Sequence, residues 1–351
     1  MSEAEIAWEK IGCCGVITLN RPRALNALSF DMIGAMARAL DAFAREPEIR
    51  SVVVRSTSAA AFCAGADIKR VAELGKAAQH AEQLAFLSAE YRNCRRIKFY
   101  PKPYVALIDG IIMGGGVGIA VNGAHRVVGE RVSFAMPEVG IGFFPDIGAS
   151  YFLPRLPAGI GVYLALTGAR AALGDAVALG LATAHVPSSR FDALFERLVA
   201  GEAAERAIAA EAVAPPASAL LQHSDFIAQS FAAPSLAPIF AEIEAAGSPF
   251  AEATLKVLRA RSPTSMAIAL KQMQLGAKLD FDAALRMEFR IASRIVHGHD
   301  FYEGVRATLI DKDHAPRWQP ASIAAIAESD IDPYFAPLTD ELEFSAPAGA
   351  A

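Results

Sequence analysis

The stretch YVALIDGIIMGGGVGIAV, residues 104–121, decides between two very different folds. It contains a single charged residue, Asp109, and its length is at the lower limit for a membrane-spanning helix. Gly110, Gly114 and Gly118 also have the spacing at which transmembrane helices pack closely. Three consecutive glycines, however, disfavour one continuous helix. We therefore expect a buried strand, a tight turn and a buried helix here, and no membrane span.

The segments around this stretch alternate between strand-like and helix-like patterns. GVITLN at 15–20, SVVVRS at 51–56 and RVVG at 126–129 are short and β-branched, as buried strands are. A second helix is expected over residues 69–96. The first helix is expected between the first two strands, where apolar residues recur at helical spacing after Ser29 as N-cap: Ile33, Met36, Leu40 and Phe43. Repeated strand–helix units are typical of an α/β fold.

The second half of the chain has a different character. From about residue 191 to 261 it is rich in alanine with few β-branched runs, which predicts helices. Further helices are expected to start near Ser262 and Asp280, and the tail from Asp330 is expected to be loosely held. We therefore divide the chain into a strand–helix core over 1–190 and a mainly helical C-terminal region over 191–351.

The composition excludes several classes of protein. Of 351 residues, 53% are hydrophobic and 20% charged, which is too apolar for a disordered chain. Lys and Arg total 33 against 38 Asp and Glu, and this slight acidity disfavours a general nucleic-acid binder. The four cysteines form no C-x-x-C pair, so neither a disulfide framework nor a metal site is expected. The first ten residues contain no apolar run, which predicts a cytoplasmic protein.

Two glycine-bearing turns each follow a predicted strand and precede a predicted helix. The first is FCAGADI, residues 62–68, and the second is MGGG, residues 113–116. The first N–H groups of a helix have no partner within it, and the helix dipole makes them attractive to negative charge. Two such groups facing one point would form an oxyanion hole. The alternative is that both turns are only tight connections, where glycine is the usual residue.

A segment with two carboxylates follows the second turn. It reads FAMPEVGIGFFPD, residues 134–146, and it places Glu138 and Asp146 after prolines in very apolar surroundings. Carboxylates are rarely buried without a partner or a task, and an apolar setting raises their pKa into the range useful for acid–base chemistry. The alternative is that each of them caps a turn or a helix.

Five stretches together resemble one known family, the crotonase (enoyl-CoA hydratase/isomerase) superfamily. They lie in the family's order at residues 17–28, 61–69, 102–120, 134–156 and 164–182. The resemblance implies a spiral of ββα turns in which the N–H groups of Ala66 and Gly115 hold an acyl-CoA thioester carbonyl. It also implies that the coenzyme A moiety lies along Arg23, Ala24, Leu25, Ala64, Ala66, Asp67 and Ile68.

The same resemblance implies which partners to expect. The substrate would be a small-molecule acyl-CoA, and no separate cofactor is expected because coenzyme A is part of that substrate. Members of the superfamily are often trimers or hexamers, so a homo-oligomer is expected. Neither a nucleic acid nor a membrane is expected as a partner.

One departure from the family pattern distinguishes between its branches. Hydratases of the superfamily resemble GGGCE at the second turn, whereas this chain has GGGVG and therefore Gly118 in place of a glutamate. Residues 136–156, 262–273 and 298–320 instead resemble the branch that hydrolyses 3-hydroxyisobutyryl-CoA. In that branch the working pair corresponds to Glu138 and Asp146. A further substrate-contacting glutamate corresponds to Glu90, which would otherwise be a solvated helix residue.

The resemblance implies hydrolysis of 3-hydroxyisobutyryl-CoA to coenzyme A and 3-hydroxyisobutyrate, a step of valine breakdown. Glu138 would be the nucleophile or the general base, and Asp146 would bind the 3-hydroxyl or orient the carboxylate and water. Two other functions stay open at this point. A lyase or isomerase would use Glu138 alone on an enoyl-CoA, and a non-catalytic member would only bind acyl-CoA.

Overall fold

The computed structural model describes residues 4–344 and contains two sheets. The strands within these residues are β1 Ile6–Ile11, β2 Cys14–Leu19, β3 Ser51–Ser56, β4 Ala61–Cys63, β5 Tyr104–Ile108, β6 Ile111–Met113, β7 His125–Val128, β8 Ser133–Ala135 and β9 Ala184–His185. The larger sheet has the order β1-β2-β3-β5-β7-β9, and the smaller one has the order β4-β6-β8. Among the strand pairs within the described residues, only β1–β2 is antiparallel, and the others are parallel.

The two sheets are built by a repeated unit. The pairs β3–β4, β5–β6 and β7–β8 each place their first strand in the larger sheet and their second in the smaller one. Helices follow each of these pairs before the chain returns to the larger sheet at β5, β7 and β9. This is a spiral of ββα turns, so the predicted fold class is confirmed.

The helices pack around the strands and form most of the chain after β8. In order they are α1 Phe30–Arg45, α2 Ile68–Lys76, α3 His80–Lys98, α4 Gly115–Val121, α5 Ala149–Phe152, α6 Ile160–Thr167, α7 Leu173–Ala178, α8 Phe191–Val199, α9 Ala204–Glu211, α10 Ser224–Ser230, α11 Leu236–Ala246, α12 Pro249–Arg259, α13 Pro263–Gly276, α14 Phe281–Ile295, α15 His299–Val305 and α16 Glu328–Ile331. Ser29 caps α1 as predicted, because its hydroxyl accepts a hydrogen bond from the Met32 N–H at 3.2 Å.

Residues 104–121 form β5, β6 and α4, as their glycines predicted. Gly110 turns the chain between the two strands with φ +79°, and a Cβ there would lie 2.4 Å from the Ala60 carbonyl oxygen. Only glycine avoids both the strained backbone and this overlap. Within residues 4–344 no helix has the length and apolar character needed to cross a membrane.

The helix predicted over residues 69–96 is in fact two helices, α2 and α3. The break lies at Ala78, which has φ +58° although it is not a glycine. Gln83 of α3 donates a hydrogen bond to the Val71 carbonyl of α2 at 3.0 Å, so the two helices are tied to each other across the break. The sequence carries no glycine or proline at this point to mark it.

The C-terminal helices pack against the strand–helix core. Buried side chains of α13 and α14, such as Met266 and Ile291, belong to the same hydrophobic cluster as Phe144 of the spiral. The proposed division after residue 190 falls at the start of α8, and it stays a prediction. The expectation of a loose tail is wrong up to residue 344, because Leu342 is buried and Glu341 pairs with Arg290 at 2.7 Å. Residues 345–351 lie outside the described residues.

Candidate active site

A cleft of about 1200 Å³ opens beside the smaller sheet. Its wall contains every residue that the sequence proposed for the site: Arg23, Ala24, Leu25, Ala64, Ala66, Asp67, Ile68, Glu90, Gly115, Glu138 and Asp146. These residues come from five separate stretches of sequence. The structure brings all of these residues to one cleft, whereas the roles assigned to them stay predictions.

The first glycine turn connects β4 to α2 and is held by the main chain on both sides of Ala66. The Leu28 N–H donates to the Gly65 carbonyl at 2.8 Å, and the Asp67 N–H donates to the Leu28 carbonyl at 2.9 Å. The Asp67 carboxylate caps α2 by accepting from the Arg70 N–H at 3.3 Å, and it accepts from Arg21 at 2.9 Å. Asp67 therefore holds the turn in shape, whatever else it contacts.

The second glycine turn lies directly against the first. Gly114 has φ +45°, and Gly115 is the first residue of α4, where N–H groups have no partner within the helix. A Cβ on Gly115 would lie 3.1 Å from the Ala66 nitrogen and 2.5 Å from Glu90 Oε1. The two predicted donors are thus neighbours, and only the lack of a side chain at Gly115 leaves the space beside them open. Two neighbouring main-chain donors beside open space are compatible with an oxyanion site, and this role stays a prediction.

Glu138 begins a short 3-10 turn, Glu138–Ile141, just after β8. The turn closes when the Phe143 N–H donates to the Glu138 carbonyl at 3.0 Å. The Glu138 side chain reaches the second glycine turn, because a Cβ on Gly114 would lie 3.0 Å from Glu138 Oε1. Glu138 Oε2 and Glu90 Oε1 are buried and accept no hydrogen bond from the described part of the chain. Buried polar atoms normally have partners, so both oxygens are free to bind a substrate or water.

Asp146 lies in the same buried acidic group. The Tyr91 hydroxyl donates to Asp146 Oδ2 at 2.8 Å. Burial raises the pKa of Asp146 to about 7, although the bond from Tyr91 opposes this rise. Burial, followed by the charge of Asp146, also raises the pKa of Glu138 and of Glu90 well above their ordinary values. All three carboxyls therefore hold a proton more tightly than exposed carboxyls do, which suits acid–base chemistry.

The residue after Asp146 is strained. Ile147 has φ +56°, a conformation that a β-branched residue adopts only at a cost of ~1–3 kcal/mol. Its side chain packs against Gly118 of α4, because a Cβ on Gly118 would lie 2.9 Å from Ile147 Cβ and 2.9 Å from Cys94 Sγ. The position that carries a glutamate in the hydratase pattern therefore has no room for one here.

Sequence reasoning missed the opposite wall of the cleft. It consists of Arg261 and residues of the segment that follows α15: Thr308, Leu309, Lys312, His314 and Pro316. Arg261 donates twice to the Thr167 carbonyl, from Nε at 3.1 Å and from Nη2 at 2.6 Å. The similarity of residues 298–320 to the hydrolase branch was the only signal of this wall. No local motif marks this wall, because the packing of the helical region brings these residues to the same cleft as the two turns.

Basic side chains surround the cleft, among them Arg21, Arg23, Lys69, Arg70 and Arg170. Such a lining raises the local concentration of an anionic ligand. Within residues 4–344 no three His, Cys, Asp or Glu side chains are grouped so that they could hold a metal ion. The four cysteines are free thiols.

The family follows from comparison with known proteins. Residues 14–335 match the model of the enoyl-CoA hydratase/isomerase family, and the chain belongs to this family. Within it, the chain is 43% identical to the 3-hydroxyisobutyryl-CoA hydrolase, mitochondrial, of Rattus norvegicus, over 95% of this chain and 89% of that protein. It is 40% identical to the protein of the same name from Homo sapiens, over 97% of this chain and 91% of that one.

Solved structures show the same fold over nearly the whole chain. A carnitinyl-CoA dehydratase from Mycobacterium thermoresistibile superimposes with a TM-score of 0.94 at 37% identity, covering 97% of this chain and 99% of that one. An enoyl-CoA hydratase from Rhodobacter sphaeroides 2.4.1 superimposes with a TM-score of 0.92 at 38% identity, covering 97% and 100%. The spiral core and the C-terminal helices are therefore both part of the shared architecture.

Proposed function

We propose that this protein hydrolyses 3-hydroxyisobutyryl-CoA to coenzyme A and 3-hydroxyisobutyrate, a step of valine breakdown. Relatives that carry the name of this hydrolase share about two fifths of the sequence over nearly the full chain. The structural observation that carries the proposal is the packing of Ile147 against Gly118. This packing leaves no room at position 118 for the second glutamate that water addition to a double bond would use. Glu138 and Asp146 still line the cleft.

The chemistry begins at the thioester carbonyl. Its oxygen would accept hydrogen bonds from the N–H groups of Ala66 and Gly115. Attack on the carbonyl carbon converts this oxygen into an oxyanion, which each donor stabilises by ~3 kcal/mol in comparable sites. Collapse of the tetrahedral intermediate then breaks the carbon–sulfur bond, and coenzyme A leaves as a thiolate that takes up a proton.

Glu138 performs the attack or prepares it. As a nucleophile, its carboxylate would form an anhydride with the acyl group, and water would then open that anhydride. As a general base, it would take a proton from a water that attacks the carbonyl. Its unpartnered Oε2 and its place against the second glycine turn are compatible with both roles.

Asp146 and Glu90 complete the acyl end of the site. Asp146 would bind the 3-hydroxyl of the substrate or orient the Glu138 carboxylate and water. Glu90 would contact the substrate through Oε1, which has no partner in the described chain. At the other end, the coenzyme A moiety would follow Arg23–Leu25 and Ala64–Ile68, where the basic side chains of the cleft suit its phosphates.

Three further points belong to this proposal. The reaction uses no cofactor besides the coenzyme A of the substrate. The protein forms a homo-oligomer, a trimer or a hexamer. The names of the relatives place those proteins in mitochondria, so the cytoplasmic location expected from the N-terminal residues stays a prediction without support from them.

A thiol-release assay tests the proposed function. Purified protein is given 3-hydroxyisobutyryl-CoA, isobutyryl-CoA and crotonyl-CoA, and both free coenzyme A and double-bond chemistry are measured. We expect rapid release from the first ester and at least ~100-fold lower kcat/KM for the second, because a buried group that binds the hydroxyl would be left unpaired. Hydration or isomerisation without thiol release would favour the lyase or isomerase, and saturable binding without turnover would favour a non-catalytic member.

A further inference from the structure

The segment that carries Asp146 is gripped by two residues from distant helices. Gln272 of α13 donates from Nε2 to the Pro145 carbonyl and, at 2.7 Å, to Ser150 Oγ. Glu288 of α14 accepts from the Gly148 N–H through Oε2 and from the Ser150 N–H through Oε1, both at 2.8 Å. Gln272 and Glu288 are completely buried. Together they hold the main chain on both sides of Asp146.

The grip encloses the strained residue described above. Between Pro145 and Gly148 the chain passes through Asp146 and Ile147, whose positive φ is unfavourable for its side chain. The Ile147 carbonyl is held separately by Asn122, which donates at 3.1 Å. Strain of this kind persists only where the surroundings over-determine the conformation. Gln272 and Glu288 supply that constraint on the two sides of the strained residue.

A buried glutamate is a costly way to hold a loop unless its charge or both of its acceptors matter. Glu288 uses each carboxylate oxygen for one N–H group, and no neutral side chain of the same length offers two such acceptors. It also adds an acid near Asp146. The titratable groups that face Asp146 are Tyr91, Glu90 and Cys94 of α3, Glu138 of the 3-10 turn, and Glu288.

We propose that Glu288 and Gln272 are positioning residues, which hold segment 145–150 in its strained form and thereby keep the Asp146 carboxylate directed into the cleft. This inference rests on the proposed function, because it gives Asp146 a part in the reaction. Neither residue lines the cleft, so neither one is placed to contact a substrate there. They act on the reaction only through Asp146.

The test uses two variants of the full-length protein and one control. Glu288→Gln leaves one acceptor and replaces the other with an NH₂ group that faces an N–H. Gln272→Met keeps the length of the side chain but removes its donor. The control is Asp175→Asn, a buried carboxylate that also accepts from two N–H groups, those of Leu220 at 2.9 Å and Ala172 at 3.2 Å, but does not line the cleft.

We expect both positioning variants to lose kcat by ~10- to 100-fold, because misplacement of a reacting group by about 1 Å has effects of this size. KM should change by less than ~3-fold, since the coenzyme A contacts are untouched. The double variant should lose less than the product of the two single losses, as both residues act on one segment. Asp175→Asn should keep kcat. A kcat within twofold of wild type in both positioning variants would overturn the proposal.

The pH dependence gives a readout that a purely structural role would leave unchanged. In Glu288→Gln the loosened segment should leave Asp146 less buried, and burial is the main cause of its raised pKa, so the acidic limb of the kcat profile should move to lower pH. In Asp175→Asn it should stay in place. Superimposable profiles for wild type and Glu288→Gln would contradict the assigned role of Glu288.

Hydrogen exchange separates this proposal from the proposed function. In both positioning variants the amides of residues 146–152 should exchange faster than in wild type and in the control, whatever the substrate is. If wild type fails to hydrolyse 3-hydroxyisobutyryl-CoA, the proposed function is wrong, and the exchange data still decide whether the segment is held by these residues. Unchanged exchange there in both variants would overturn the positioning proposal itself.

Discussion

The two sides of the cleft are built in different ways. The side with Ala66 and Gly115 is made of main-chain N–H groups on two short turns. Main-chain hydrogen bonds to Leu28 hold the first of these turns, and the second turn lies against it. The side with Glu138 and Asp146 is made of buried carboxyls whose segments are held by helices from the last third of the chain. The main-chain side is held by bonds within the spiral, whereas buried carboxyls need a surrounding that controls both their position and their protonation. Substitutions on each side test this difference.

The largest effect is expected on the carboxyl side, from Glu138→Gln. Gln keeps the size of the side chain but is neither a nucleophile nor a base, so kcat should fall by ~10²-fold or more. Binding of a non-hydrolysable substrate analogue, measured by calorimetry, should change little because the turns are untouched. Glu130→Gln, at an exposed carboxylate that binds Ser188 outside the cleft, is the control. Near-normal turnover by Glu138→Gln would reduce Glu138 to a structural cap.

The two roles of Glu138 can be separated in the wild-type protein. During a single turnover in ¹⁸O-water, direct attack followed by opening of the anhydride at its enzyme side leaves the first solvent oxygen on the Glu138 carboxylate. General-base catalysis leaves it in the product acid. Mass spectrometry of the peptide that contains Glu138 distinguishes the two outcomes.

A smaller loss is expected on the main-chain side, from Gly115→Ala. The added methyl would lie 3.1 Å from the Ala66 nitrogen and 2.5 Å from Glu90 Oε1, so it would fill the space for the carbonyl oxygen. We expect kcat to fall by at most ~100-fold, the lower end for losing one oxyanion donor, because the main-chain N–H itself remains. Gly34→Ala is the matched control in α1, where a Cβ would meet only the flexible end of Arg38 at 3.3 Å. Equal kcat values for the two variants would exclude the proposed oxyanion site.

The junction between the two sides is tested by Gly118→Glu. The new side chain would meet Ile147 and Cys94 within 2.9 Å and would add a charge close to Asp146. We expect a loss of ~3 kcal/mol in the free energy of unfolding, measured with urea, from overpacking. We also expect no efficient hydration of crotonyl-CoA. Hydration at rates that rival the native hydrolysis would show that the branch difference depends on residue 118 alone.

The smallest effect is expected on stability as a function of pH. The folded protein holds the Asp146 proton up to a pKa of about 7, whereas an unfolded Asp loses it near its ordinary value of 3.8. The folded state therefore binds more protons between these values, and the free energy of unfolding falls as pH rises through this window. Asp146→Asn should remove this contribution. Its stability relative to wild type should increase by ~2 kcal/mol between pH 5 and pH 8.

Activity and stability should thus depend on pH in opposite directions. Ionised carboxyls are needed for attack, so kcat should rise over the same range in which the fold loses stability. Urea unfolding of both proteins at pH 5 and pH 8 measures the stability effect. A constant difference between wild type and Asp146→Asn across this range would show that the Asp146 proton is not held more tightly in the folded state.

The sequence was informative where the structure depends on neighbours along the chain. Both glycine turns, the Ser29 cap and the strand–turn–helix form of residues 104–121 follow from local chemistry, and the structure has them where they were expected. The local pattern singled out Glu138 and Asp146 but left them open between site residues and caps. Glu90 came only from the family motifs, with a solvated helix residue as the alternative. Their chemical roles stay predictions, although all three line one cleft.

The remaining features depend on contacts between distant segments. The break at Ala78 and the strain at Ile147 lie at residues whose types do not suggest a positive φ. Gln272 and Glu288 lie among the buried residues of α13 and α14, and nothing in their spacing shows which loop they meet. Such contacts depend on how helices pack, which hydrophobic periodicity leaves undetermined.

The hydrogen bonds from Gln272 and Glu288 to residues 145–150 have a consequence for the order in which the protein is made. Their partners are separated by 122 to 140 positions along the chain. A ribosome that has released the spiral has therefore not yet released the residues that hold Asp146 in place. The nascent chain can form its two glycine turns early, but the segment that carries Asp146 is held only after α14 has emerged and docked.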